Sequence, residues 1–318
     1  MIPNYVTNDY NIYIIEPDGK SFYFPYVLCV PMTIGSTNTL FVESNNEENP
    51  EDLGNSARGT INYLLKMMEG SSNKSPIFFP ILPTNGIDSR PYFQQLSNEC
   101  FDGNLPVEQQ RIDLQLINAI EDAKLKFLDI TKKKLEDKIF MHGYSASGVF
   151  AQRFALIHPE IIGGVCIGGA IGSIPMPMEE CGGIQLDYPA GTNNYEELFG
   201  KPFDIDAYKQ IQFGYYVAEK EGDRLSSTRV KEDGTPAPMH DMSYMDRSMP
   251  NAVGQNLRNA FGKDMFDRCK NQLSIYKEMG LNISAHQPFK GMHNEIGTQQ
   301  FKYIYDCLSH LIATQVME

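Results

Sequence analysis

None of the six cysteines (Cys29, Cys100, Cys166, Cys181, Cys269 and Cys307) forms a C-x-x-C pair or joins a histidine at zinc-ligand spacing. A structural zinc site and a dithiol redox motif are therefore outside the pattern, and the thiols read as free and mostly buried. No apolar stretch is long enough to span a bilayer, and residues 1–20 lack a basic start followed by an apolar run. The expectation is a soluble chain without a membrane span, placed in the cytoplasm. Basic charge is also scarce: 27 Lys and Arg face 40 Asp and Glu, a formal net charge of −13. The one basic run, Lys132, Lys133 and Lys134, is followed at once by Glu136 and Asp137, so it reads as the solvated end of a helix. A nucleic acid would be repelled by this surface, and a small-molecule partner fits better.

The chain has 318 residues, 42% of them hydrophobic, which is enough for one large α/β core. Short strands open it: NIYIIEP (11–17), a turn at Asp18 and Gly19, SFYFPYVLCVP (21–31), then TLFVES (39–44). INYLLKMM (61–68) has the pattern of a helix, and SPIFFPIL (75–82), despite Pro80, that of a strand. From Glu108 to Ile130, the residues Ile112, Leu116, Ile120, Ala123 and Phe127 recur three or four apart and define one helical face.

Next come a strand at KIFMH (138–142), a glycine turn, a helix over 146–160 and a strand at GGVCIGG (163–169). Strand, helix, strand in that order makes a right-handed crossover in a parallel sheet. QFGYYVAEKEG (212–222) and LNISAHQ (281–287) supply later strands, with helices over about 263–279 and 295–312. Residues 170–209 read as a cap at the sheet's carboxyl edge and 223–250 as irregular. The whole chain, 1–318, is expected to be one domain, with 170–209 and 224–258 as cap or insertion segments.

The chemistry centres on HGYSASG (142–148), because it falls between a strand and a helix. A serine at so tight a turn needs small neighbours for the backbone to double back, and Gly143, Ala146, Ser147 and Gly148 supply them. Ser145, two residues past Gly143, is the expected nucleophile; Ser147 is the lesser rival. A hydroxyl attacks only when a base takes its proton. His293, in PFKGMHNEIG (288–297) after the last strand, is the expected base. His142 should point into the sheet, and His158 should end a helix where positive charge suits the dipole. His286 and His310 read as packing residues, and His240 is an outside candidate for the base. The acid that orients the base is sought in VAEKEGD (217–223), where Glu221 comes first and Asp223 second, Glu219 being assigned to the strand. The oxyanion hole needs two backbone N–H groups. One is expected from Ala146 at a helix N-terminus, the other from the loop after TLFVES, near Asn45.

With these segments in the order Ser145, Glu221, His293, the chain resembles the α/β-hydrolase superfamily, and within it bacterial esterases related to polyhydroxybutyrate depolymerases. The similarity is closest over 107–175 and looser through DYPAGTNNYEELFG (187–200), the acid loop and KGMHNEIG. It implies an α/β-hydrolase fold with a mostly parallel sheet and helices on both faces. It also implies acyl transfer to water through an acyl-enzyme, without metal or organic cofactor. Departures from the pattern are Ser147 in place of the last elbow glycine, EKEGD where an aspartate is more usual, and the insertion over 224–258. Two other readings share the same pocket: a catalytically silent ligand- or partner-binding protein, and an amidase or peptidase using the same triad.

Overall fold

The computed structural model describes residues 1–35, 38–44, 74–82, 96–101, 103–219, 225–230, 236–238, 249–290 and 298–315. Its centre is a sheet of nine strands: β1 (Tyr5–Val6), β2 (Tyr10–Ile15), β3 (Tyr26–Pro31), β4 (Phe41–Glu43), β5 (Ile77–Pro80), β6 (Ile139–Tyr144), β7 (Ile162–Gly168), β10 (Gln212–Ala218) and β13 (Asn282–Phe289). Their spatial order is β1-β2-β3-β5-β4-β6-β7-β10-β13. The pairs among β1, β2, β3 and β5 are antiparallel; every pair from β5 through β13 is parallel. The opening hairpin therefore forms one edge, and the chain crosses over the future place of β5 to set β4 beside β6. Two small strand pairs, β8 (Glu180–Cys181) with β9 (Ile184–Gln185) and β11 (Leu225–Val230) with β12 (Pro236–Pro238), lie outside this sheet.

β3 and β7 are buried along their whole length, because both faces of the central sheet are covered. One cover is α1 (Ile112–Thr131), whose expected apolar face is realised: Ile112, Leu116, Ile120, Ala123 and Phe127 are all buried in the main core. Burial of each large apolar side chain in that stripe contributes about 2 kcal/mol. The same core holds α2 (Ala146–Ile157), buried at every position from Ser147 to Ile157. On the other face, Ile304, Leu308, Leu311 and Ile312 of α7 (Thr298–Gln315) pack with Phe41, Phe140 and Cys166. The short helices α3 (Tyr195–Phe199) and α4 (Ile205–Gln210) and the pair α5 (Asn251–Phe261) and α6 (Met265–Glu278) complete the layers. Among the described residues, no helix is long and apolar enough to cross a membrane.

Several boundaries move from their sequence expectations. Residues 21–25 stay outside β3; Asp18 Oδ1 instead accepts N–H bonds from Lys20, Ser21 and Phe22 and holds a turn there. The long helix begins at Ile112 because Arg111 adopts a left-handed backbone, φ 48°. The helix after the glycine turn ends at Ile157, and 159–161 form a 3₁₀ turn started by Pro159. Residues 223–250, read as irregular, contain β11 and β12, and α5 precedes the helix expected from about 263. The expected helix over 61–68 lies outside the described residues.

A buried ionic cluster joins α1 to the end of α2. Asp113, with no exposed side-chain surface, accepts bonds from Arg111 Nε (3.0 Å) and Nη2 (2.8 Å) and sits 2.9 Å from His158 Nε2. His158 therefore answers a carboxylate as well as a helix end. Burial alone would raise the Asp113 carboxyl, but the bonds from His158 and Arg111 overcome it and bring the pKa to about 2, below the ordinary 3.8. A depressed folded-state value means stability present above the unfolded value and lost as the pH falls through the folded one. The cluster should thus lose about 2 kcal/mol between pH 4 and 2. Urea unfolding across that window should show native protein losing this much more than Asp113→Asn; parallel decline of the two would contradict it.

Candidate active site

β6 runs into α2 through one residue, Ser145, and the geometry of that turn is unusual. Ser145 has φ 58° and ψ −121°, a sparsely populated backbone conformation for a residue with a Cβ, at roughly 1–3 kcal/mol of strain. Such a conformation persists only where the surroundings fix it. Ser145 N–H donates to Gly168 C=O at the end of β7 (2.8 Å), and Ser145 C=O accepts from Val149 N–H (3.1 Å). Gly143 allows the turn to close: a Cβ there would stand 2.2 Å from the backbone oxygen of Ser147. Ser145 and Ala146 remain partly exposed at this apex while Gly143 below them is buried. Ala146 is the first residue of α2, so its N–H belongs to the turn that the helix leaves without an acceptor of its own.

Ser147, which stands where the pattern has glycine, has a structural use. It is 1% exposed, accepts Tyr144 N–H (2.9 Å) and donates to Tyr144 C=O (3.0 Å). Its hydroxyl thereby pins the turn that presents Ser145, and it is poorly placed to be a rival nucleophile.

The parallel register brings the other strand ends to the same edge. Glu43 pairs with His142, Tyr144 with Gly168, Gly168 with Tyr216, and Ala218 with Phe289. Glu219 N–H donates to Phe289 C=O (2.8 Å), tying together the chain as it leaves β10 and β13. Glu219 itself is exposed and lies just past β10, correcting its assignment to the strand. Glu221, Asp223, His293, Asn45 and the outside candidate His240 fall outside the described residues. Of the expected site, Ser145 and Ala146 alone are therefore described. His310 lies exposed on α7.

His142 points into the sheet as expected, and there it meets two polar partners. Its Nδ1 lies 2.6 Å from Glu43 Oε2 and its Nε2 3.0 Å from the Tyr216 hydroxyl. Burial pushes the Glu43 carboxyl up, and the facing His142 pulls against that rise. The available signal was Glu43 itself, a charged residue closing an apolar run, since a charge buried in a strand requires a partner.

Strand order and the elbow together define the α/β-hydrolase fold, here with β1 added at one edge. No protein-family model and no curated protein matches the chain. Solved structures do. The chain is similar to poly(aspartic acid) hydrolase-1 from Sphingomonas sp. KT-1, at 14% identity over 96% of this chain and 99% of that one, with a TM-score of 0.52. It is likewise similar to a poly(3-hydroxybutyrate) depolymerase from Bordetella parapertussis, at 13% identity over 96% of this chain and 89% of that one, again with a TM-score of 0.52. At such identities the likeness establishes the fold, which is the one the sequence resemblance implied.

Proposed function

We propose that the chain is a serine hydrolase that cleaves a small carboxylic ester through an acyl-enzyme on Ser145. The observation that carries this reading is the backbone of Ser145, φ 58° and ψ −121°, held at the junction of β6 and α2 by the bond to Gly168. A fold has no need of a strained non-glycine residue there; presentation of a hydroxyl at the N-terminus of a buried helix accounts for it.

In the reaction, His293 takes the Ser145 proton as Oγ attacks the acyl carbon. The oxyanion is met by the Ala146 N–H and a second N–H near Asn45. Collapse expels the alcohol, which leaves with the proton held by His293, and the acyl group stays on Ser145. Water, deprotonated by the same base, then attacks the acyl carbon; the bond from that carbon to Oγ breaks, His293 returns the proton to Ser145, and the acid is freed. Glu221, or Asp223 in its place, holds the imidazole in the tautomer that this sequence requires. No step calls on a metal or organic cofactor. The segments 170–209 and 224–258, as cap elements of a single domain, would select the acyl and leaving groups; the first of them begins directly after β7, at the edge that carries Ser145.

The test is treatment of the native chain with a fluorophosphonate, followed by intact mass and fragmentation of the labelled peptide. One adduct on Ser145 is expected. An adduct on Ser147 would reassign the nucleophile, and absence of any adduct would favour a catalytically silent binding protein.

A further inference from the structure

Beneath the elbow, three buried polar side chains from three different strands are bonded in a row. Glu43 ends β4, His142 lies in β6 and Tyr216 lies in β10; they are 5%, 0% and 1% exposed. β7 stands between β6 and β10, so Tyr216 must cross it to reach His142. Gly168 makes the crossing possible: a Cβ there would lie 2.0 Å from Tyr216 Cζ and 2.3 Å from its hydroxyl oxygen. The same glycine supplies the carbonyl that anchors Ser145 N–H. With Glu43 ionised, His142 Nδ1–H donates to Glu43 and the Tyr216 hydroxyl donates to Nε2, which gives each imidazole nitrogen a partner.

The Tyr216 ring has a second set of neighbours. It stacks on Tyr144, next to Ser145 (centroids 5.8 Å, 21°), and meets Phe289 and Tyr303 edge-on, each at 5.9 Å. Phe289 closes β13, the strand that leads to His293. One residue is thus bonded towards the strand that precedes Asn45, packed against the elbow, and packed against the strand that precedes the base. Buried polar groups of this kind can often be replaced by apolar residues of similar volume at little cost in stability. Directed bonds fix what apolar packing leaves loose, the relative positions of the strand ends.

We propose that Glu43, His142 and Tyr216 form a brace beneath the site and that Tyr216 is its central positioning residue, aligning Ser145 with the base and oxyanion donors without touching substrate. The inference rests on the serine-hydrolase reading of Ser145.

Tyr216→Phe removes the hydroxyl and keeps the ring over Gly168 and against Tyr144, Phe289 and Tyr303. With a small aryl ester, kcat per fluorophosphonate-titrated site should fall about 10- to 100-fold, the scale of a slight misalignment of reacting groups. KM should stay within about twofold, and the labelling rate should fall with kcat. Glu43→Gln, of the same shape, should lower kcat in the same sense and decides the matter if Tyr216→Phe fails to fold. The double variant should be no slower than the slower single, as expected of residues acting as one unit. A merely structural role would reduce the fraction of titratable sites and leave kcat per site unchanged. That result, or losses that multiply in the double variant, would overturn the brace while leaving Ser145 as nucleophile. A native chain that neither labels nor turns over ester would remove the serine-hydrolase reading, and the positioning role with it.

Discussion

Replacing Ser145 with alanine should abolish turnover of small esters, by on the order of 10⁴-fold or more, and leave the fold in place. The loss is large because attack by Oγ has no substitute: the base then has no hydroxyl to activate, and water would have to enter at a carbonyl positioned for Ser145. The fold should survive because the anchors at this residue are made by its backbone, N–H to Gly168 and C=O from Val149. Alanine must still adopt φ 58°, but serine already carries that strain. Its thermal midpoint should stay within about 3 °C of native, the effect of roughly 1 kcal/mol in a chain of this size. Ester hydrolysis by the variant at a rate within tenfold of native, at matched protein concentration, would place the nucleophile elsewhere.

What could be read from the sequence follows the range over which each signal acts. Ile112, Leu116, Ile120, Ala123 and Phe127 announced α1 because a helical stripe is local, and all five are buried. The elbow was legible for the same reason: strand, glycine turn and helix lie within 20 consecutive residues, 138–157. α5 carried a similar signal, Val253, Leu257 and Phe261 four apart and all buried, but the polar residues between them and the preceding prolines masked it. Glu43 and His142 are 99 positions apart, and His142 and Tyr216 are 74 apart. No local pattern could pair them, since their meeting depends on strand order and register. Ser147 looked like a tolerated departure from glycine; that its hydroxyl would hold Tyr144 at both N–H and C=O depended on the exact pitch of the turn.

The same pitch sets the second large effect, expected for Gly143→Ala. A methyl group at that position would stand 2.2 Å from Ser147 O, 2.5 Å from its carbonyl carbon and 2.8 Å from Gly148 N, all main-chain atoms of the first turn of α2. No rotamer relieves such contacts, so either the helix start or the end of β6 must move. Both are enclosed: α2 is buried from Ser147 onward, and β6 is paired with β4 and β7. Overpacking of this kind costs typically 1–3 kcal/mol where side chains can yield, and here the value should lie at or above the top of that range, about 3 kcal/mol. Any shift large enough to admit the methyl group also displaces Ser145, so the folded fraction should label with fluorophosphonate at least about 100-fold more slowly. Gly103→Ala is the control, because a Cβ there meets nothing within 4 Å. It should stay within about 1 kcal/mol of native, since alanine in an open, unstrained position chiefly restricts the unfolded chain. Urea unfolding of the two variants compares them directly: midpoints that coincide would mean that the backbone crossing between β6 and α2 is looser than its geometry states, and that the conformation of Ser145 is set by something other than the closeness of Gly143 to Ser147.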